Sequence, residues 1–350
     1  MRAAVLREYG EPLEITDVER PTPADHGVVV DVETCGICRS DWHGWQGDYE
    51  GMDLIGQILG HEPAGTVLEV GADVESVREG DRVTVPFSLA DGTCPHCLAG
   101  RSNACRNAPS LGFHESVPGA FAEEVHAPWA DVNAIRLPDG VSTVEMAGLG
   151  CRFMTSFHAL AHRAELGAGD WVAVHGCGGV GLSAVDVASA LGGNPIAIDL
   201  DAEKLELARE LGAEETVDAS AVEDVPAEVA AITDGGADVS VDALGIAETC
   251  RNSVACLDHF GQHVQIGLTT KEEGGFVSLP TDEMVRKEID FLGSYGMQPT
   301  RYDEIFRMVE RGRIHPDALV SRRVSIDELN DRLAAMTDYE TQGIEVITEF

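Results

Sequence analysis

The stretch of this chain that decides its fold is Trp171-Val-Ala-Val-His-Gly176-Cys-Gly178-Gly179-Val180-Gly181. Its first five residues have the length and valine content of a buried strand, the next six have the spacing G-x-G-x-x-G, and helix-period residues continue through Ala190. Glycines in that context allow a tight turn, and the pyrophosphate of a dinucleotide then meets unpaired amides at a helix N-terminus. We therefore predict strand, turn, helix and dinucleotide contacts at Gly176, Gly178, Gly179, Val180 and Gly181. A turn that only connects two elements is the alternative.

Apolar, strand-like runs recur after this stretch at 194–199, 238–242 and 262–267, with helix-period segments between them. Strands that alternate with helices indicate βαβ units and a parallel sheet. Asp199 ends the first of these runs, about 20 residues after the second glycine, which is the spacing of the acid that binds the adenosine ribose hydroxyls. A carboxylate there repels a 2′-phosphate, so NAD is favoured over NADP. Gly267 closes the last run and is assigned to the same cofactor site.

Before this region the pattern differs. Residues 28–32, 64–70, 81–85 and 119–125 are short valine-rich or apolar runs separated by Gly, Pro or Asp. Such strands predict a partly closed β-barrel. Beyond residue 296, helix-like patterns cover Tyr302–Arg311 and Ile326–Met336, and a strand-like run covers Ile344–Ile347. A length of 350 residues suits two domains, each with its own core.

The charge of the chain excludes one class of partner. A formal net charge of −37 comes from 61 acidic and 24 basic residues dispersed through a sequence that is 44% hydrophobic. Such a surface repels nucleic-acid phosphates. Self-repulsion on this scale weakens a folded state at low ionic strength, whereas molar salt shortens the screening length to about 3 Å. We expect a folded, acidic protein adapted to a very salty cytoplasm.

No stretch approaches the roughly 18 apolar residues of a membrane span, and the first residues lack a signal-peptide pattern. We therefore expect no membrane partner and a cytoplasmic location. Nine cysteines in such a chain point to metal or redox chemistry before disulfides.

Three zinc donors stand out among these side chains: Cys38, His61 and Cys151. A catalytic zinc takes three protein ligands from thiolate, imidazole or carboxylate and leaves a fourth position open. Each residue alone has a plain alternative, because a buried Cys is usually a small apolar filler and a lone His a core or surface residue. Their order relative to the glycine loop makes the metal interpretation the stronger one.

These motifs follow one another over essentially the whole chain as they do in the zinc-dependent alcohol dehydrogenases of the medium-chain dehydrogenase/reductase superfamily, which this sequence resembles. The resemblance implies an α/β fold with two parts. Residues 1–150 and the returning segment 296–350 would form a GroES-like β-barrel catalytic domain, and residues 151–295 a Rossmann-type doubly wound parallel sheet. It also implies that Cys38, His61 and Cys151 hold the catalytic zinc.

The resemblance assigns further roles near that zinc. Ser40 and His43 would pass the substrate proton to solvent, the alternatives being a turn hydroxyl and a surface histidine. Asp41 would orient His61, as carboxylates behind a metal ligand commonly do. Glu62 would approach the metal during ligand exchange.

Two more residues are assigned to the cofactor by the same resemblance. Thr155 would lie beside the nicotinamide, with helix packing as the alternative. Lys204 would reach the adenosine ribose, which softens the discrimination between the cofactors, so use of NADP stays open.

A second metal site is implied by the segment that contains Asp91, Cys94, Cys97 and Cys105. Relatives usually place four cysteines there around a structural zinc. Carboxylate oxygen is also a zinc ligand, so an Asp-Cys-Cys-Cys site is chemically sound. The alternative is a lobe that has lost its metal.

We therefore expect a reversible dehydrogenase that transfers hydride between NAD and a primary or secondary alcohol, with the aldehyde or ketone as product. A polyol or sugar dehydrogenase of the same superfamily is the nearest alternative, although those relatives often carry a carboxylate at the third ligand, where this chain has Cys151. A zinc-free quinone reductase would need neither Cys38 nor the His61-Glu62 pair. A non-catalytic acidic binding protein that kept the fold is the remaining alternative. We expect a homo-oligomer, with a tetramer favoured over a dimer.

Overall fold

A computed structural model describes residues 1–270 and 273–350. The chain forms two compact units. The first comprises Met1–Cys151, Gly296–Arg311 and Pro316–Phe350, and the second comprises Arg152–Tyr295 and Gly312–His315.

The secondary structure consists of short strands and helices. In chain order the strands are β1 (Arg2–Val5), β2 (Glu14–Asp17), β3 (Val28–Ile37), β4 (Pro63–Val70), β5 (Arg82–Thr84), β6 (Glu124–Ala127), β7 (Ile135–Arg136), β8 (Trp171–His175), β9 (Asn194–Asp199), β10 (Glu215–Asp218), β11 (Ala237–Asp242), β12 (Leu257–Gln265), β13 (Asp290–Gly293), β14 (Val320–Ser325) and β15 (Ile344–Glu349). The α-helices are α1 (Arg39–Gln46), α2 (Pro95–Leu98), α3 (Ala130–Asn133), α4 (Thr143–Gly148), α5 (Cys151–His158), α6 (Gly179–Leu191), α7 (Ala202–Glu210), α8 (Val225–Thr233), α9 (Ala247–Ala255), α10 (Thr281–Lys287), α11 (Tyr302–Glu310), α12 (Pro316–Leu319) and α13 (Leu329–Thr337). Single helical turns cover Ser102–Ala104, Ala159–Arg163, Pro299–Arg301 and Ile326–Glu328.

The first unit is built on a seven-stranded sheet in the order β14-β15-β3-β4-β5-β7, with β6 also paired to β3. In β3, Val30, Val32 and Thr34 are buried, while Asp31 and Glu33 between them are exposed. This alternation is what a strand with one face on a core produces. The returning strand β15 pairs antiparallel with β3, so the end of the chain completes the sheet that its beginning starts.

One strand prediction in this unit is wrong over part of its length. Of the run 119–125, only its last two residues are in a strand, β6. The backbone amides of Gly119, Ala120 and Phe121 instead donate to the carbonyl groups of residues 58–60. These hydrogen bonds, which are not part of a regular sheet, fix the backbone just before His61.

The second unit is a six-stranded parallel sheet in the order β10-β9-β8-β11-β12-β13. The chain runs outward from β8 to β10 and then resumes beside β8 with β11. This order confirms the predicted doubly wound sheet and places its switch point between β8 and β11. Strand β8 is buried along most of its length, as expected of a strand with helices on both faces of the sheet.

Within the described ranges, no helix is both long enough and apolar enough to cross a bilayer. The nine cysteines all lie in those ranges, and every one is a thiol rather than half of a disulfide.

Candidate active site

Three donor side chains meet in the first unit. Cys38 is the residue that caps α1, His61 lies just before β4, and Cys151 is the first residue of α5. Their ligand atoms all lie within 4.8 Å of one another, and Cys38 and His61 are buried. Ligand atoms around one tetrahedral zinc are roughly 3.5–3.8 Å apart for bonds of about 2.0–2.3 Å. The cluster therefore has the donor set and nearly the spacing of a three-ligand zinc site.

His61 supplies the sharpest test of that fit. Its Nδ1 lies 2.8 Å from Oδ1 of Asp41, while its buried Nε2 has no hydrogen-bond partner among the described residues. A buried nitrogen without a partner is costly. Since Asp41 engages Nδ1, Nε2 is the ring nitrogen left to face the neighbouring thiols, where a metal ion would satisfy it.

Asp41 positions two of the three candidate zinc ligands through hydrogen bonds. Its carboxylate is fully buried, with Oδ1 accepting from the amide of Gly60 (3.0 Å) as well as from His61, and Oδ2 accepting from the amide of Cys38 (3.0 Å). Burial of His61 alone would lower its pKa, but the charge and hydrogen bond of Asp41 raise the pKa of the imidazole well above its usual value. A metal ion at Nε2 would therefore compete with a proton for this nitrogen.

Ser40 and His43 both lie on α1, directly after Cys38. Nδ1 of His43 lies 2.8 Å from Oδ2 of Asp48, and burial lowers the pKa of this histidine. The carbonyl of Ser40 accepts a hydrogen bond from the hydroxyl of Tyr49 (3.3 Å). Burial raises the pKa of Tyr49. The sequence had singled out neither Asp48 nor Tyr49. Asp48 follows His43 by five residues, and that short distance is the one sequence signal available.

Glu62 is buried next to His61 on the chain. A Cβ atom at Gly150 would lie 2.8 Å from Cβ and Cγ of Glu62, so the glycine before Cys151 admits this side chain. Burial raises the pKa of Tyr302, with smaller contributions from Cys151 and Glu62, which places the phenol in the same neighbourhood.

Aromatic rings surround the imidazole of His61. The ring centroids of Phe87 and Phe113 lie 5.8 and 5.2 Å from it, and Phe113 in turn lies 5.5 Å from Tyr49. Nothing in the sequence around Phe113 indicated this position, because it is brought in by a loop about fifty residues from His61. The surroundings of the cluster on this side are apolar.

The second donor cluster also forms within the first unit. Ligand atoms of Asp91, Cys94, Cys97 and Cys105 all lie within 4.8 Å of one another, and Sγ of Cys94 is 3.5 Å from Sγ of Cys97 and 3.8 Å from Sγ of Cys105. Disulfide sulfurs would be about 2.05 Å apart, whereas thiolates on one zinc ion are roughly 3.8 Å apart. The residues therefore fit a four-ligand zinc site.

Asp91 faces those thiols with one oxygen. Oδ1 lies 3.4 Å from Sγ of Cys97 and 3.3 Å from Sγ of Cys105, whereas Oδ2 accepts from the Thr93 hydroxyl (2.7 Å) and Asn107 Nδ2 (2.7 Å). The side-chain bonds from Thr93 and Asn107, together with backbone amides, hold the pKa of Asp91 far below its ordinary value. The group is therefore a carboxylate, the form that binds a metal.

The glycine loop lies in the second unit, between β8 and α6. A Cβ atom at Gly181 would lie 1.7 Å from the carbonyl oxygen of Gly176, so a side chain there is excluded by backbone. Gly178 caps α6, and Gly179 and Val180 are its first residues. The loop and helix have the geometry that presents amides to a phosphate.

Asp199 lies at the end of β9, beside that loop. Oδ2 accepts from the amide of Cys177 (2.6 Å) and Oδ1 from the amide of Asp201 (3.0 Å). Lys204 is buried in α7 and, with Asp199, influences the pKa of the buried Cys177 thiol, which burial raises. The loop's central amide is thus tied to the acid that the sequence assigned to the ribose.

The two remaining sequence-assigned cofactor residues also lie in the second unit. Thr155 is buried within α5, and its carbonyl accepts from the hydroxyl of Ser294 (3.4 Å). Gly267 lies two residues beyond β12, in the loop that follows this strand.

Two family models match this chain. Residues 24–139 match the alcohol dehydrogenase GroES-like domain, and residues 179–311 match the zinc-binding dehydrogenases. Together with the donor clusters and the doubly wound sheet, these matches define the class of protein: an oxidoreductase of the zinc-binding dehydrogenase type.

Similar proteins extend the match to the whole chain. An alcohol dehydrogenase of Geobacillus stearothermophilus is 32% identical over 336 residues, which cover 95% of each chain. A sorbitol dehydrogenase of Halalkalibacterium halodurans is 31% identical over 337 residues, 94% of each chain. The crystal structure of an NAD-dependent alcohol dehydrogenase superposes with a TM-score of 0.90 at 29% identity, covering 100% of both chains.

The chain belongs to the zinc-type alcohol dehydrogenase family of the medium-chain dehydrogenase/reductase superfamily. The predicted family, the GroES-like and Rossmann-type fold and the predicted activity, oxidoreduction of an alcohol, are confirmed.

Proposed function

We propose that this protein is a zinc-dependent alcohol dehydrogenase that prefers NAD and interconverts primary or secondary alcohols with aldehydes or ketones. The observation that carries the proposal is the convergence of Cys38, His61 and Cys151, with the buried Nε2 of His61 directed at the thiols. A zinc ion held by these three side chains would supply Lewis-acid chemistry, which lowers the pKa of an alcohol hydroxyl. The rings of Phe87 and Phe113 favour an apolar alcohol on this side of the site.

The chain's own residues position donors and move the proton in this proposal. Asp41 fixes the proton of His61 on Nδ1 and holds the backbone of Cys38. Ser40 and His43 pass the substrate proton toward solvent. Since Nδ1 of His43 is bonded to Asp48 and burial lowers its pKa, the imidazole is neutral near pH 7 and accepts a proton at Nε2. Glu62 would assist the exchange of ligands at the zinc, and Thr155 would contact the nicotinamide.

We propose a second zinc ion in the lobe of Asp91, Cys94, Cys97 and Cys105, with a structural role. Support comes from the sulfur separations and from the ionised carboxylate that replaces the usual fourth cysteine. A closed four-ligand site stabilises its own loop and leaves no position for substrate.

We propose a homo-oligomer, with a tetramer favoured. β13 is an edge strand of the parallel sheet, and large apolar side chains on or near it in sequence are exposed, among them Phe276, Val285 and Phe291. Exposed apolar side chains beside an unpaired strand edge are common where protein chains associate.

The experiment that tests the proposed function is a panel of short alcohols, sorbitol and the matching carbonyl compounds, assayed with NAD and NADP. We expect turnover of simple alcohols that a chelator abolishes and zinc restores. Because the net charge is −37, we also expect activity and thermal stability to rise with KCl up to molar concentrations, as in a salty cytoplasm. Sorbitol as the better substrate would favour the polyol dehydrogenase alternative, to which the sorbitol dehydrogenase relative points. Full stability in dilute buffer would contradict the salt adaptation.

Cofactor preference has its own test in Asp199→Gly. Removing the carboxylate removes its repulsion of a 2′-phosphate, so the ratio of kcat/KM with NADP to kcat/KM with NAD should rise at least about tenfold, or ~1.4 kcal/mol. Asp199 also accepts from the amide of Cys177, so Asp199→Asn, which keeps an acceptor without the charge, separates the two effects. Asp218→Gly, at the end of the neighbouring strand β10, is the control. An unchanged ratio in both Asp199 variants would refute the assignment.

A further inference from the structure

A second buried carboxylate lies at the carboxyl edge of the parallel sheet, and the sequence did not single it out. Asp242 ends β11 and has no exposed surface. Its Oδ1 accepts from the amides of Leu244 (3.0 Å) and Gly245 (3.1 Å) and from the hydroxyl of Thr249 (2.9 Å). This oxygen therefore fixes the loop that connects β11 to α9.

The other oxygen of Asp242 reaches the neighbouring strand. Oδ2 accepts from Nε2 of Gln265 (2.8 Å), the last residue of β12, and the same nitrogen donates to the carbonyl of Gly267 (2.8 Å). With both of its donors used, Gln265 presents Oε1 as an acceptor to Nε2 of His263 (3.1 Å), and Nδ1 of His263 lies 2.9 Å from the Ser253 hydroxyl. This hydrogen-bond network extends from the inside of the sheet to the two loops at its edge.

Those two loops cross in contact. A Cβ atom at Gly267 would lie 2.3 Å from the amide nitrogen of Gly245, so the loop after β12 passes directly over the loop after β11. The backbone carbonyl of Asp242 binds the amide of Gly267 as well (2.9 Å). Asp242 is thus bonded to both loops through its side chain and its backbone.

The location of this crossing gives it a function. β11 and β12 continue the sheet beyond the switch point, where a dinucleotide lies across the carboxyl ends of the strands. The half formed by β8, β9 and β10 carries Asp199 and takes the adenosine part. The half that begins with β11 is left for the nicotinamide part. Leu244, held by Asp242, also lies directly against Gly176 of the glycine loop.

We propose that Asp242 is a positioning residue for the nicotinamide ring of the cofactor: its carboxylate joins the loops after β11 and β12 into one rigid platform for that ring. The proposal rests on the proposed dinucleotide function and adds a residue to it. It separates binding of the nicotinamide ring from binding of the ADP-ribose part of the cofactor, which Asp242 does not organise.

The test is Asp242→Asn, with NADH binding measured by fluorescence titration and ADP-ribose binding by calorimetry. An amide cannot replace the carboxylate without a loss, because its NH₂ group meets either the amides of Leu244 and Gly245 or Nε2 of Gln265. Turning the Gln265 amide over would give up its bond to Gly267. We expect NADH to bind about tenfold more weakly, as hydrogen bonds to a charged group are lost. ADP-ribose, which lacks the nicotinamide, should bind within about twofold of wild type.

A milder variant and a matched control keep the test decisive. Thr249→Val removes one hydrogen-bond donor to Asp242 without loss of volume, and it can be tested even if Asp242→Asn fails to fold. Its affinity for NADH should fall about twofold to threefold, and its affinity for ADP-ribose should not change. Asp218→Asn is the control, since Asp218 also ends a parallel strand and caps its own loop through the amide (2.9 Å) and hydroxyl (2.6 Å) of Ser220. It should change the affinity of neither ligand.

Two results would overturn this proposal without affecting the proposed function. The first is an unchanged NADH affinity in the Asp242 and Thr249 variants. The second is an equal loss of affinity for NADH and ADP-ribose, which would mean that Asp242 only stabilises the sheet. Wild-type protein that binds neither ligand would instead overturn the proposed dinucleotide function, and this proposal with it.

Discussion

Cys38→Ala should lower kcat/KM for alcohol oxidation by more than about 10³-fold, because removal of one of three ligands releases the ion whose Lewis-acid effect is worth several kcal/mol. The same substitution should reduce the bound zinc from two ions per subunit to one, since the lobe of Asp91, Cys94, Cys97 and Cys105 does not involve Cys38. The measurements are steady-state kinetics in molar KCl and elemental analysis of the purified protein.

The matched control is Cys35→Ala, three residues earlier on the buried strand β3 and outside both donor clusters. It should cost some stability and leave the zinc content and the rate close to wild type. One zinc ion per wild-type subunit that disappears in Cys38→Ala would show an empty second lobe. Wild-type activity in zinc-free Cys38→Ala would remove the basis of the proposed mechanism.

Asp41→Asn should weaken zinc binding and lower kcat/KM by about 10- to 100-fold, the usual effect of losing a carboxylate behind a metal ligand. Asp41 accepts three hydrogen bonds, from the amides of Gly60 and Cys38 and from His61 Nδ1. An asparagine has one acceptor oxygen, so its NH₂ group must face one of these donors, and the tautomer of His61 is no longer enforced.

Competition with a chromophoric chelator measures the zinc affinity of this variant, and kinetics at saturating zinc separates weak binding from poor orientation. The control is Asp53→Asn at an exposed position. Among the hydrogen bonds of the described residues, the Asp53 carboxylate accepts only from the nearby amide of Ile55. An Asp41→Asn protein that holds zinc and turns over alcohol as the wild type does would show that Asp41 is only a packing residue.

The glycine loop was predictable because each of its requirements is local. A side chain at Gly181 would collide with a carbonyl five residues earlier on the chain, and the strand and helix around it have their own sequence periods. The alternation of strands and helices after Trp171 likewise gave the parallel sheet, and the composition gave an acidic folded surface. The candidate zinc donors were also predictable from residue type, since thiolate and imidazole are groups that this metal binds.

Other assignments stay predictions at the level of single roles. They include the catalytic zinc at Cys38, His61 and Cys151, the second zinc ion and the proton path through Ser40 and His43. The cofactor contacts, the preference for NAD, salt adaptation, a cytoplasmic location and a tetramer also stay predictions. Each depends on a ligand, a partner or a solution condition rather than on the chain alone.

What the sequence determined by itself was therefore the set of short-range patterns: the turn at 176–181, the strand and helix periods, and the kinds of donor atom available. The tertiary structure alone decided which distant groups meet. Phe113 contacts His61, residues 119–121 bind the loop before His61 instead of extending a strand, and Asp242 joins two loops through Gln265. The physical reason is that these contacts depend on how strands and loops are placed in space, and neighbouring residues along the chain carry no period or spacing that encodes such a placement.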